Sequence, residues 1–207
     1  NEKPKHPKSN LASMGVYLFN WKHLKKYLTE DEQDSTSTND FGKDIIPKML
    51  DDGANLQAYR FTDYWKDVGT IDSLWEAHMD LLEEPSVFEL GNPNWQIYAG
   101  NANHPPQFIA KEADVTQSLV NEGCLVFGKV EHSVLSYNVQ VGSGTIVKDS
   151  VIMPNVKIGK NVIIEKAIIG SGTIIEDGAV ISDPNQGLTL IGEKQLISAD
   201  RALLQSL

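Results

Sequence analysis

Three stretches in the second half of this chain start alike, at intervals of seventeen residues. His132-Ser133-Val134-Leu135 aligns with Asp149-Ser150-Val151-Ile152, and that in turn with Lys166-Ala167-Ile168-Ile169. From each start an aliphatic residue recurs at spacings of six, six and five: Leu135, Val141, Val147; Ile152, Ile158, Ile164; Ile169, Ile175, Ile181. Glycine follows at or near several of them, as at Gly142, Gly159 and Gly170. One inward aliphatic per six residues is the signature of a parallel β-helix with three short strands to a coil. Three buried aliphatics cannot offset the entropy of ordering a seventeen-residue coil, so a lone coil would not hold. Stacked coils add ladder hydrogen bonds and packing against neighbours, and stability grows with their number. A β-sandwich would need period-two alternation over longer runs, which the sequence lacks. Ser118 to Val130 reads as a less regular first coil, and Gly187 to Ser198 as a terminal one.

Ahead of residue 105 the chain changes character, with most of the tryptophan and with helical spacing. Met14 to Phe19 predicts a short buried strand. Asn20 predicts the cap of a helix through Leu28, with Trp21, Leu24 and Leu28 on one face. Thr29 to Asn39, acidic and rich in Ser and Thr, predicts a solvated loop. Ile45, Ile46, Met49 and Leu50 are spaced for a helix in which Pro47 marks the first turn or a kink. Leu56 to Phe61 predicts a second strand. Thr70 predicts a cap for a helix to about Glu83, its stripe formed by Ile71, Leu74, Trp75, His78 and Leu82. The layout expected is an α/β portion over 1–90, a linker over 91–112 rich in Pro and Asn, and the β-helix over 113–207.

Composition narrows the function classes. The chain has 207 residues with 18 basic and 28 acidic side chains, a formal charge of −10. That balance argues against a nucleic-acid partner, whose phosphate backbone demands a basic surface. The longest apolar runs, Val16 to Phe19 and Cys124 to Phe127, are four residues long. A spanning helix needs about 20, so no membrane partner is expected. No secretory leader is visible. The single cysteine, Cys124, allows no intrachain disulfide and fits a reducing, cytoplasmic compartment. It reads as a small buried apolar residue rather than a nucleophile. A chain that opens Asn1-Glu2-Lys3-Pro4 reads as an internal segment of something longer.

Four clusters in the first part carry the chemistry: Glu2-Lys3-Pro4, Ser13-Met14-Gly15-Val16-Tyr17, Asn39-Asp40-Phe41-Gly42, and Tyr64-Trp65-Lys66-Asp67-Val68-Gly69-Thr70. Each alone is weak. A Glu-Lys pair is usually solvated surface, and Trp-x-Asp-x-Gly-Thr is equally a turn before a capped helix. In this order, ahead of hexapeptide repeats, they are specific. The chain resembles the bacterial glucose-1-phosphate adenylyltransferases (ADP-glucose pyrophosphorylases), from the middle of the catalytic domain to the C-terminal β-helix. Its departure at His78, where that family often has Asn, falls on a helix away from the chemistry.

The resemblance implies a Rossmann-like nucleotidyltransferase portion, incomplete here, followed by a left-handed parallel β-helix. It implies the reaction of ATP with glucose 1-phosphate to give ADP-glucose and diphosphate, with Mg²⁺, in glycogen biosynthesis. Positioning and charge neutralisation dominate such a transfer. By resemblance Lys3 contacts the sugar phosphate and Glu2 accepts from sugar hydroxyls. Ser13 and Tyr17 add hydroxyl contacts, Asp40 and Phe41 lie near the sugar, and Trp65 walls the pocket. Asp67 holds the metal ion, a hard cation suited to carboxylate and phosphate oxygens; Asp67 and Lys3 are the residues expected to be catalytic. The family's glycine-rich phosphate loop and second metal carboxylate are not among these residues, so this stretch alone is expected to be inactive. The resemblance also implies a homotetramer, or a heterotetramer with a paralogous subunit, and allosteric effectors of sugar-phosphate or adenylate type, with Lys111 a possible contributor from the linker. Two other readings stay open. One is a non-catalytic regulatory or assembly subunit of the same family. The other is a hexapeptide acyltransferase using a histidine; His132, the only histidine in the repeats, reads instead as a solvated turn residue equivalent to Asp149 and Lys166.

Overall fold

A computed structural model describes residues 9–83, 89–98, 103–182 and 187–199. Compactness divides the chain into two units, Asn1–Asp63 and Tyr64–Leu207.

The second unit holds the coil stack. Its first coil is β1 (Phe108–Ile109), β2 (Asp114–Thr116) and β3 (Leu119–Val120), and its second β4 (Leu125–Val126), β5 (Lys129–Glu131) and β6 (Val134–Leu135). The third is β7 (Gln140–Val141), β8 (Ile146–Lys148) and β9 (Val151–Ile152), and the fourth β10 (Lys157–Ile158), β11 (Ile163–Glu165) and β12 (Ala167–Ile169). The fifth is β13 (Ile174–Ile175), β14 (Val180–Ile181) and β15 (Thr189–Ile191), and β16 (Leu196–Ile197) begins another. All pairing is parallel, in three sheets ordered β1-β4-β7-β10-β13-β16, β2-β5-β8-β11-β14 and β3-β6-β9-β12-β15. Pairing begins at Phe108, inside the stretch read as linker, so exposed Lys111 lies in the turn between β1 and β2 of the first coil.

The seventeen-residue register holds in the centre, with Gln140 opposite Lys157 and Lys157 opposite Ile174. The second coil is shorter, because Leu125 pairs with Gln140, fifteen residues on. Its corner at Phe127-Gly128 is the reason. A Cβ on Gly128 would collide with the Thr145 carbonyl oxygen and lie 2.8 Å from that of Gly142, so only glycine permits the tight turn.

All nine predicted inward aliphatics are buried, none more than 4% exposed. A second buried column escaped the sequence reading. Ser133, Ser150 and Ala167, like Thr145 and Val162, lie two residues before an inward aliphatic and are fully buried. Ser133 Oγ donates to the Glu131 carbonyl (2.8 Å) and accepts from Ser150 N (3.1 Å). Ser150 Oγ repeats this with Lys148 (2.6 Å) and Ala167 N (3.1 Å). The hydroxyls satisfy corner amides that have no strand partner. At these corners Gln117, His132, Asp149 and Lys166 all have φ between 44° and 49°, which supports reading His132 as a turn residue.

Helix α3 (Ile71–Met79) and a 3₁₀ turn (Asp80–Leu82) belong to the same unit. Thr70 and Ser73 cap each other reciprocally at its start. Met79 and Leu82 bury against Val151 and Ile168, with Leu74, Trp75 and Met153 at the margin. Trp75 Nε1 donates to the Asp149 carbonyl (2.8 Å) and Gln117 Nε2 to that of Leu82 (3.0 Å). The stripe differs from expectation in two places: Ile71 is exposed and Met79 takes an inner position.

The first unit is helical. Asn20 caps α1 (Trp21–Glu32), which runs past Leu28 into the acidic stretch read as loop. A π-helical turn (Phe41–Ile45) leads into α2 (Ile46–Asp51), with Pro47 in its first turn, where its missing N–H costs nothing. Tyr27, Ile45 and Met49 form the core, flanked by Phe19, Leu24, Leu28 and Leu56. Neither predicted strand forms. Leu18 is fully exposed, and neither 14–19 nor 56–61 finds a ladder partner among the described residues. A strand is stabilised by its neighbours, so an apolar run without one stays extended but unpaired.

Candidate active site

In the first unit a turn at Gly15, with φ +69°, lets its amide donate to Ser13 Oγ at 3.2 Å. The turn brings the Ser13 and Tyr17 hydroxyls to 3.3 Å. The Tyr17 ring stacks on Phe41 at 5.8 Å and 23°, and Phe19 lies 5.8 Å from each ring. Asp40 caps the π-helical turn, its Oδ1 accepting from Gly42 N (2.8 Å) and Lys43 N (2.9 Å). Among the described residues its Oδ2 meets a distant ammonium, Lys43 Nζ at 3.9 Å. Four predicted sugar-side residues (Ser13, Tyr17, Asp40 and Phe41) are therefore held in one unit, as two hydroxyls, a carboxylate and an aromatic face.

Asp44 organises this corner and was missed. Its Oδ2 accepts from Thr38 Oγ1 (2.7 Å), Thr38 N (3.1 Å) and Asp40 N (3.0 Å). Those bonds, led by the Thr38 hydroxyl, hold its carboxyl below the usual aspartate range. The signal was a threonine and two aspartates at 38, 40 and 44, a spacing that closes a turn.

Trp65 and Asp67 fall in the second unit, on the segment that leads into α3. Exposure alternates along it, with Tyr64 and Lys66 half-buried and Trp65 and Asp67 exposed. Asp80 receives Tyr64 OH at 2.9 Å and Lys66 Nζ at 3.0 Å, and Lys66 also reaches Glu76 Oε2 at 3.0 Å. Burial works to raise the Asp80 carboxyl, but the bonds from Lys66 and Tyr64 outweigh it and the net shift is downward. The Lys66 ammonium moves up, chiefly through its bond to Asp80. Asp67 has no hydrogen bond or ion pair among the described residues. No group of three or more His, Cys, Asp or Glu gathers for a metal among them. A lone unpaired carboxylate fits Mg²⁺ only as one ligand beside phosphate oxygens and water, which is how that ion is commonly held.

Glu2 and Lys3 lie outside the described residues. A concavity of about 550 Å³ on the coil stack is lined by Lys157, Gly159, Ile174, Glu176 and Asp177, and no predicted site residue borders it. His132 is not simply solvated: its Nδ1 lies 2.6 Å from Asp149 Oδ1, at the corner where Trp75 docks. Cys124 is buried, and desolvation pushes its thiol up, away from nucleophilic character. No helix among the described residues is long and apolar enough to cross a membrane.

A capped helix after a Trp-x-Asp segment, docked on a hexapeptide coil stack, is consistent with the expected nucleotidyltransferase portion joined to a β-helix. Comparison with known families agrees: residues 1–84 match the nucleotidyl transferase family and residues 104–187 the GlmU-like C-terminal hexapeptide family. Over 168 residues, 81% of its length, the chain is 57% identical to a glucose-1-phosphate adenylyltransferase of Bacillus cereus. It is 58% identical to that of Bacillus cytotoxicus and 57% to that of Bacillus anthracis, over 168 residues in each case. The chain is thus similar to glucose-1-phosphate adenylyltransferases over most of its own length, and it spans 45% of the length of each of these three.

Proposed function

We propose that this chain supplies the sugar-phosphate side of a glucose-1-phosphate adenylyltransferase, which joins ATP and glucose 1-phosphate into ADP-glucose with release of diphosphate. The observation that carries the reading is the Tyr17–Phe41 stack, with the Ser13 hydroxyl on that of Tyr17 and Asp40 capping the turn that carries Phe41. An aromatic face suits the apolar face of a hexose, and fixed hydroxyl and carboxylate groups suit its hydroxyls. By the resemblance Lys3 neutralises the phosphate, Glu2 accepts from the sugar, and Trp65 of the second unit is a further sugar-binding residue. Little covalent help is needed, because the attacking phosphate oxygen is already a nucleophile; orientation and charge neutralisation lower the barrier. Bound Mg²⁺ supplies neutralisation of phosphate charge, and Asp67 is the residue of this chain that would hold it.

The setting we propose is glycogen synthesis in a cytoplasmic, reducing compartment, in a homotetramer or a heterotetramer with a paralogue. Allosteric effectors of sugar-phosphate or adenylate type complete the reading. These 207 residues contain no glycine-rich phosphate loop, so alone they do not turn over ATP. The test is calorimetric titration of the chain with glucose 1-phosphate, alongside a hybrid in which the aligned 168 residues replace those of the Bacillus cereus relative. Saturable binding and ADP-glucose formation by the hybrid support the reading. A hybrid that folds and binds sugar phosphate but forms no ADP-glucose favours the regulatory subunit instead.

A further inference from the structure

We propose that Asp80 is a positioning residue for Asp67, tying the proposed metal carboxylate to the β-helix. The inference rests on the reading of Asp67 given above. Exposure alternates over 64–67, so fixing the two half-buried residues constrains the direction of the exposed ones between them. Tyr64 and Lys66 are the fixed pair. Both reach a single oxygen, Asp80 Oδ2, at 2.9 and 3.0 Å. Trp65 and Asp67 then occupy the open side by alternation.

The anchor is itself held to the coil stack. Asp80 lies between Met79 and Leu82, both buried against Val151 and Ile168 of the coil stack. On either side of it the helix is bonded to coil corners, Trp75 to Asp149 and Leu82 to Gln117. Asp80 also matches the Lys66 charge at close range, and among the described residues Glu76 is the other acid on that ammonium. Among the described residues Asp67 keeps its carboxylate unpaired, which leaves it open to a phosphate-bound metal. The β-helix thus acts as the foundation that holds the Asp67 segment in place.

The test uses Asp80→Ala and Asp80→Asn, the second keeping the shape and an acceptor for Tyr64. In the whole chain, amide exchange over 64–70 should rise at least tenfold in Asp80→Ala, less in Asp80→Asn, with exchange over 129–169 unchanged. In the hybrid enzyme, kcat should fall about 10–100-fold and the Mg²⁺ needed for half-maximal rate should rise, with the KM for glucose 1-phosphate within twofold. Unchanged exchange over 64–70 overturns the clamp. Raised exchange with unchanged kcat and Mg²⁺ requirement makes Asp80 merely structural and overturns the positioning role. Asp67→Ala in the hybrid separates the two readings. If it leaves the rate intact, the metal role of Asp67 fails and the proposal goes with it, while the exchange result still stands on its own.

Discussion

Ile163 and Ile164 are the same residue, adjacent on the same strand, and differ only in the face they present. Ile164 is fully buried inside the coil stack, whereas Ile163 points outward and keeps 40% of its surface in water. Truncation to alanine removes three carbons from each. At about 0.8 kcal/mol per buried carbon the transfer part is about 2.4 kcal/mol for Ile164, and the cavity left in a stacked core raises it to about 3–4 kcal/mol. For Ile163 only some three-fifths of the transfer part is at stake and solvent fills the gap, so about 1–1.5 kcal/mol is expected. The difference of about 2 kcal/mol corresponds to a gap in Tm of about 4–8 °C for a chain of this size. Guanidinium unfolding followed by far-ultraviolet circular dichroism measures both variants against the parent. Equal losses, or a larger loss for Ile163→Ala, would refute the argument, because a one-residue slip in register exchanges inward for outward along the whole strand.

Gly142→Ala should destabilise the stack by more than about 2 kcal/mol, since its Cβ would collide with the Gly159 carbonyl and lie 2.6 Å from that group's carbon; Gly91→Ala, which meets open space, should be near neutral in the same unfolding assay. The Asp80 clamp should be pH-dependent in one direction at each end. Asp80 is shifted down, so its contribution is present above the ordinary aspartate value of about 3.9 and fades as pH falls through its lower folded value; Lys66 is shifted up, so its contribution fades only above the ordinary lysine value of about 10.4. Exchange over 64–70, corrected for intrinsic rate, should be flat from about pH 5 to 9 and rise below about pH 4; a rise near pH 6–7 would contradict the assignment. Tyr17→Phe keeps the ring stack and removes one hydroxyl, so calorimetry should show glucose 1-phosphate bound about 2–10-fold more weakly, with the fold unchanged. The 207-residue chain incubated with ATP, glucose 1-phosphate and Mg²⁺ should release no pyrophosphate above background, and sustained release would show that the phosphate loop is dispensable.

The coil stack was legible because each inward position repeats the same local instruction: Leu135, Ile152 and Ile169 need no distant partner to be recognised. The hydroxyl column was not, because Ser133 and Ser150 look like surface residues until stacking buries the amides they serve. The strands expected at 14–19 and 56–61 failed for the opposite reason, since apolar alternation records a wish to pair and a ladder takes two. The motifs at 13–17 and 39–42 were legible as clusters, and the structure holds Ser13, Tyr17, Asp40 and Phe41 in one unit, whereas Asp44 and Asp80 were hidden. Each acts through groups several to sixteen residues away, Thr38 and Asp40 in one case, Tyr64 and Lys66 in the other. A carboxylate that only fixes a neighbour carries no signature beyond its charge.

Initial-rate kinetics of the hybrid enzyme carrying Lys3→Ala tests the central claim most directly, with each substrate varied in turn. A cation reserved for the sugar phosphate requires a large rise in the KM for glucose 1-phosphate while the KM for ATP stays within about twofold, since removing one charge-assisted contact costs roughly 1.5–3 kcal/mol at the partner it touches. Equal rises for both substrates, or no change for either, would contradict the assignment of this chain to the sugar-phosphate side of the reaction.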